Sequence, residues 1–162
     1  MIKIVLSFSI FISAILTSRE ICKADEKKVA LFKELYSIVD EMIGMLRFQS
    51  ADVYQICNIC FENKYIFDFK MFKNINFSFS ENWEKACNET FKHINIEAYD
   101  YFLEVGRVLG NFDAETQITR LEYISESIKQ RYSALIQQYL NKKKIYYAFG
   151  AFVGVIICIF LL

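Results

Sequence analysis

Apolar residues recur at helical spacing along most of the chain, and the first clear run lies between Ala24 and Arg47. Within this run they fall three and four residues apart, which predicts an amphipathic helix of coiled-coil character. The stripe consists of Leu31, Phe32, Leu35, Ile38, Val39, Met42 and Leu46. A helix with one apolar face needs another element to cover that face, so we expect a helical bundle.

Shorter segments repeat this pattern further along the chain. Ser50 is expected to cap a second helix, and an aromatic segment at 65–72 supplies a third. The stretch 74–80 has no helical period and is interpreted as a loop. Two more helices are expected to begin after Ser80 and Asn95 as N-caps. Because no strand pattern of comparable strength is present, the predicted fold is all-α.

The last helix is expected to begin after Asp113 and to continue to Leu162, a length of about 73 Å. Its final part, residues 145–162, carries no charge and would be about 27 Å long, close to the thickness of a hydrocarbon core. Three consecutive lysines, Lys142, Lys143 and Lys144, stand directly before it. We therefore predict a C-terminal transmembrane helix. Gly150 and Gly154 form a G-x-x-x-G pattern that permits close packing on the N-terminal segment or on a second copy of the chain, which would make a homo-oligomer.

The N-terminal segment 1–18 is apolar but contains several serines, and Lys3 precedes its apolar run. This pattern fits an uncleaved membrane anchor, which we favour, and also a cleavable signal peptide of an exported protein. Basic residues follow the first apolar segment and precede the last one, so residues 19–141 are predicted to form a helical domain on the cytoplasmic side.

Composition narrows the candidate chemistry. Lysine plus arginine equals aspartate plus glutamate, 19 against 19, so nucleic-acid binding is not expected. The odd number of cysteines, five, argues against a disulfide framework. Cys57 and Cys60 form a CxxC pair, and with Cys87 they could serve a redox or metal site. However, the pair lies in a helical apolar stripe, so buried structural thiols are the preferred interpretation.

No other catalytic pattern is present in the sequence. His93 is the only histidine and has no partnered nucleophile, and neither a phosphate-binding glycine loop nor a Glu-x-x-His pair occurs. We therefore expect a non-enzymatic protein without a cofactor.

One short motif is more specific. Leu109 and Gly110 are followed at fixed spacing by Asp113 and Gln117, in the order Leu-Gly-x-x-Asp-x-x-x-Gln. Gly110 suits a left-handed helix end, and Asp113 suits the N-cap of the next helix. The motif is thus expected to be a tight turn that sets the angle between two helices.

These residues, together with Trp83-Glu84, Gly106 and the glycines of the apolar tail, resemble the stage III sporulation protein AB family. The Leu-Gly-x-x-Asp-x-x-x-Gln element is also similar to one in F-type inner-membrane proteins of type II secretion and type IV pilus systems. The resemblance implies a bundle of about six helices, like the cytoplasmic domain of secretion F proteins, between two transmembrane helices. It weakens in the N-terminal half, where the proline turn that follows the family's first long helix is missing.

The resemblance also implies a role. Such a protein would be a platform in the mother-cell membrane around the forespore, within a secretion-like channel complex. Its expected partners are a secretion-type ATPase and other membrane proteins of that complex. The bundle face around Tyr99, Tyr101, Tyr123 and Tyr132 is the candidate partner surface, because aromatic residues are favoured at interfaces.

Overall fold

The computed structural model of the protein describes residues 2–48, 52–61, 78–91 and 94–161. Those residues form five helices and no strand, so the all-α prediction is confirmed. The helices are α1 (Ile2–Phe48), α2 (Val53–Phe61), α3 (Phe79–Thr90), α4 (Ile96–Val108) and α5 (Ala114–Leu161). The helix predicted at 65–72, which would make six, lies outside the described residues, as does Ser50.

The two long helices have no interior break. The chain has no proline to interrupt them. The predicted anchor at 1–18 and the predicted amphipathic helix from Ala24 are therefore parts of a single helix, α1. The expectation that the last helix runs unbroken from Asp113 to the end of the chain is confirmed by α5 as far as Leu161.

Contacts divide the chain into two compact units. One comprises Met1–Ala30 and Ser133–Leu162, and the other comprises Leu31–Tyr132. We call the first the two-helix unit, because its described residues belong to α1 and α5, and the second the bundle unit. The predicted boundaries at residues 19 and 141 lie elsewhere along the chain, and the domain assignment stays a prediction.

The bundle unit is built on the predicted apolar stripes. Phe32, Leu35 and Ile38 of α1 are completely buried, and Leu121 and Ile128 of α5 are buried as well. The predicted stripes of α2, α3 and α4 also face the core, where Ile56, Cys60, Trp83, Cys87, Phe91, Ala98, Phe102 and Val105 are buried. Burial of these side chains supplies most of the stabilising free energy of the unit.

The start of α3 differs from the prediction. The N-cap is Ser78, not Ser80, and Phe79 and Ser80 are already helical. The reason is a capping box: the Glu81 backbone N–H donates to Ser78 Oγ at 3.3 Å, while the Ser78 N–H donates to the Glu81 carboxylate at 2.7 Å. Ser78 and Glu81 thus satisfy each other's backbone N–H groups. Ser80 could not form this reciprocal pair, because Trp83 lies three residues after it. The loop interpretation is therefore wrong for Phe79 and Ser80, and the rest of the predicted loop, 74–77, lies outside the described residues.

The start of α4 agrees with the prediction. Asn95 is its N-cap and accepts a hydrogen bond from the Ala98 backbone N–H at 3.1 Å. A bidentate ion pair between Arg131 and Glu97 then ties α4 to α5, with Arg131 Nη2 3.0 Å from the Glu97 carboxylate. The pair and the cap act on the same end of α4.

Within the described part of the chain, no helix provides a stretch that is both long and apolar enough to cross a membrane. The two transmembrane helices stay predictions.

Candidate functional site

The turn between α4 and α5 is where the sequence motif lies. Leu109 is completely buried and ends α4. Gly110 follows with φ = 75°, the left-handed conformation that L-residues with a side chain rarely adopt. A Cβ atom at this position would lie 3.6 Å from Val53 Cγ2 and 4.0 Å from the Phe79 ring. The turn therefore packs against the first residues of both α2 and α3.

Asp113 caps α5 with both carboxylate oxygens. It accepts hydrogen bonds from the Thr116 backbone N–H at 3.0 Å and from the Thr116 hydroxyl at 2.7 Å. These bonds favour the ionised carboxylate and lower the pKa of Asp113. The negative charge also lies at the N-terminus of the helix, where the helix dipole stabilises it.

Gln117 closes the turn from the first part of α5. Its side-chain oxygen accepts a hydrogen bond from the Gly110 backbone N–H at 3.1 Å, and its side-chain nitrogen donates to the Phe112 carbonyl at 2.5 Å. The side chain is buried, and both of its bonds are to backbone groups of the turn between α4 and α5. The structure thus brings together all four predicted motif residues, and each stabilises the turn in a different way. Leu109 is buried, Gly110 adopts the left-handed conformation, Asp113 caps α5, and Gln117 bonds to the backbone of the turn.

A second close contact lies beside this turn. The indole of Trp83 is completely buried, stacks on the Phe102 ring at an interplanar angle of 13°, and donates from Nε1 to the Phe102 carbonyl at 2.6 Å. A Cβ atom on Gly106 would lie only 2.0 Å from Trp83 Cδ1. Glycine is therefore required at position 106 for α3 and α4 to approach this closely. The sequence contained both residues but no signal that they touch.

The cysteines are located as the preferred interpretation predicted. Cys57, Cys60 and Cys87 are buried in the bundle unit, and the Cys60 thiol lies 3.6 Å from Met45 Sδ. Burial, with nearby charge on the other thiols and on acidic side chains, raises the pKa of Cys57 and of Cys87 far above the ordinary range. Within the described ranges no three Cys, His, Asp or Glu side chains are arranged to hold a metal ion, and His93 lies outside those ranges.

The four tyrosines of the candidate partner surface do not share one face. Tyr123 and Tyr132 are nine residues apart in α5 and therefore lie on opposite sides of it, since a helix turns about 100° per residue. Tyr99 and Tyr101 of α4 are separated by about 200° for the same reason. Only Tyr123 is strongly exposed, at 74%.

The two-helix unit contains the other predicted residues. Gly150 and Gly154 are both buried, while large apolar side chains on the same part of α5 are exposed. Among the side chains that the structure describes there, the most exposed are Ile145, Phe149, Phe152 and Ile159, at 64–69%. The packing role of the two glycines stays a prediction.

A family model described as stage III sporulation protein AB matches residues 3–162. The chain belongs to the stage III sporulation protein AB family. No curated protein and no solved structure matches the chain. Family membership assigns a sporulation-related role. Of the residues that suggested the family, Trp83, Gly106 and the Leu-Gly-x-x-Asp-x-x-x-Gln motif build the junction of α2, α3, α4 and α5 in the bundle unit, whereas Gly150 and Gly154 lie in the two-helix unit.

Proposed function

We propose that this chain is a non-enzymatic platform in the mother-cell membrane around the forespore, where it belongs to a secretion-like channel complex and couples a partner ATPase to that membrane. Residues 1–18 and 145–162 serve as the membrane segments, and the bundle unit is the cytoplasmic part that partners bind. Membership of a sporulation family supports a role in sporulation. The fold supports the proposal that the bundle unit binds partners while the apolar ends serve as membrane segments.

The observation that carries the proposal is the composition of α5. This one helix begins at the Gly110 turn, contributes Leu121 and Ile128 to the bundle core, and ends in exposed apolar side chains such as Phe149 and Phe152. Soluble proteins rarely leave a series of large apolar residues exposed along one helix, so this end is a surface that something apolar covers. A continuous helix is well suited to connect a partner-binding domain to that covered end.

Charge supports the assignment of the two ends. Residues 31–132 hold eleven lysines and arginines against sixteen aspartates and glutamates, and the rest of the chain holds eight against three. Although the net charge of the whole chain is zero, residues 31–132 therefore carry a net charge of −5 and the rest of the chain a net charge of +5. An acidic bundle favours approach of a partner with a basic surface.

Photocrosslinking in sporulating cells tests the proposal. A photoreactive residue is introduced into the full chain at one of three exposed positions on three helices of the bundle unit, Asn58, Ile96 or Tyr123, and in parallel at Phe149. We expect an adduct with a secretion-type ATPase from at least one bundle position. From Phe149 we expect adducts with lipid or membrane proteins only. Absence of the ATPase adduct from all three bundle positions contradicts the platform role.

Topology is tested separately. A compartment-sensitive reporter inserted after Asn76, between α2 and α3, should report the cytoplasm of the mother cell. A signal from the far side of the membrane, together with a mature chain lacking residues 1–18, would instead identify an exported protein.

A further inference from the structure

Seven basic side chains are gathered in a short part of the two-helix unit. We call them the basic cluster: Arg19, Lys23, Lys27 and Lys28 of α1, with Lys142, Lys143 and Lys144 of α5. The two helical segments lie side by side here, because Lys142 Nζ is 2.9 Å from one oxygen of the Asp25 carboxylate and 3.2 Å from the other. All of the cluster except Lys28, which is half-buried, is exposed to solvent.

The acidic residues of the same segments do not neutralise the cluster. Glu20, Asp25 and Glu26 are the only acids between residues 19 and 28, and none lies between 133 and 162. Lys23 pairs with Glu20 at 2.5 Å and Lys142 with Asp25. Seven cations against three anions leave a net charge of +4, distributed around these two short helical segments. Packing two helices together does not require this excess.

The cluster borders the exposed apolar part of α5. Lys144 is followed directly by Ile145, whose side chain is 65% exposed, and by Tyr146 and Tyr147, each 36% exposed. Phe149 and Phe152, at 67% and 64%, continue the apolar surface. Cations, then tyrosines, then exposed aromatic and aliphatic groups form the order found where a protein meets a lipid surface, with charge at the phosphates and rings at the interface.

We propose that the basic cluster binds the phosphate head groups of anionic phospholipids such as phosphatidylglycerol. Lysine and arginine near an anionic bilayer each strengthen binding roughly fivefold. The inference rests on the proposed membrane placement of the chain and adds to it a selectivity for lipid charge.

The test uses the purified full chain in a neutral detergent with equimolar phosphatidylglycerol and phosphatidylcholine, and native mass spectrometry counts the lipids that stay bound. We expect phosphatidylglycerol to be retained in preference to phosphatidylcholine. The triple variant K142Q/K143Q/K144Q should lose this preference, with affinity for phosphatidylglycerol falling roughly tenfold to a hundredfold.

Two variants control for charge and for folding. K33Q/K85Q/K129Q removes the same number of exposed lysines from the bundle unit and should keep the preference. K142R/K143R/K144R keeps the charge of the cluster and should keep the preference too. A loss of equal size in either control, or tight binding of a double-stranded DNA oligonucleotide that displaces the lipid, would overturn the assignment to anionic lipid.

The outcomes separate this inference from the proposed function. Equal retention of both lipids by the unaltered chain leaves membrane placement standing and refutes only the selectivity. Retention of neither lipid refutes membrane placement and the selectivity together.

Discussion

At the scale of single residues, the contact between Gly106 and Trp83 imposes a strict requirement for glycine at position 106. A Cβ atom at residue 106 would lie 2.0 Å from Trp83 Cδ1 and 2.4 Å from Cγ and Nε1, far closer than van der Waals contact allows. The ring cannot move away easily, because it stacks on Phe102 and donates a hydrogen bond to the Phe102 carbonyl. Adding a single methyl group at position 106 would therefore force α3 and α4 apart.

Gly106→Ala is expected to lower the free energy of unfolding by about 1–3 kcal/mol, the usual cost of overpacking, although alanine is the better helix former. Chemical denaturation followed by circular dichroism measures it. Gly44→Ala is the matched control, because a Cβ there meets nothing within 4 Å. That variant should be unchanged or more stable by up to about 1 kcal/mol. Equal effects of the two substitutions would contradict the contact.

Gln117→Ala removes both hydrogen bonds that close the α4–α5 turn. The Gly110 N–H and the Phe112 carbonyl lose their partner in a part-buried place, so we expect a loss of about 2 kcal/mol in the free energy of unfolding. Gln130→Ala, at an exposed position of the same helix, should change it by less than about 0.5 kcal/mol. Thermal denaturation of the two variants side by side checks the difference.

At the scale of helices, the acidic caps make stability depend on pH. Asp113 and Glu81 both have a lowered pKa in the folded chain because they accept hydrogen bonds from Thr116 and Ser78 respectively. A carboxylate whose pKa is lower in the folded state contributes stability above its unfolded pKa and loses it as the pH falls through the folded value. Stability should therefore decrease as the pH falls below about 4.

Asp113→Asn isolates the cap of α5 in this pH dependence. Asparagine is an equally good N-cap but does not titrate, so stability near neutral pH should change little while the acid-induced loss becomes smaller. Urea denaturation at neutral and at acidic pH provides the comparison. An acid-induced loss identical to that of the unaltered chain would show that Asp113 does not contribute to it.

The ion pair between α4 and α5 gives a second test at this scale. In a double-mutant cycle with Arg131→Gln and Glu97→Gln we expect a coupling free energy of about 1 kcal/mol, because the pair is bidentate and two-thirds covered. The same cycle at Arg47 and Glu122, whose side chains are 47% and 50% exposed, should give about 0.5 kcal/mol or less.

Helix positions were predictable because they depend on local patterns. The apolar stripes, the Asn95 cap and the unbroken last helix were all predicted correctly from residue spacing. The predicted N-cap of α3 was wrong by two residues. Both Ser78 and Ser80 are suitable N-cap residues, but only Ser78 is followed three residues later by a glutamate that completes a capping box. The anchor at 1–18 and the amphipathic helix from Ala24 were predicted as separate elements, and α1 contains both, because neither apolar nor charged residues break a helix.

Contacts between distant residues were not predictable in the same way. Nothing in the spacing of Trp83 and Gly106 indicates that an indole fills the space left by a missing side chain. The two hydrogen bonds of Gln117 to the backbone of Gly110 and Phe112 could not be predicted from the sequence either, because they depend on the path of the turn. Resemblance to a family pointed to these residues, and only the packed structure gave the reason for them.

At the scale of the whole molecule, the thiols provide a test of the redox alternative. Cys57, Cys60 and Cys87 are buried, and burial raises the pKa of Cys57 and Cys87, so little thiolate exists at physiological pH. We expect these three to react with a maleimide at least about a hundredfold more slowly in the native chain than in denaturant. Peptide mapping by mass spectrometry resolves each cysteine. Fast native labelling of the CxxC pair would revive a redox role.

The burial of Trp83 has a practical consequence. It is the only tryptophan in the chain, so tryptophan fluorescence, excited selectively over tyrosine, reports one place, the interface of α3 and α4. Emission should be at short wavelength while the indole is shielded from water and should move to longer wavelength when these helices separate. A partner or a lipid that loosens or tightens the junction would thus be visible in solution without any label.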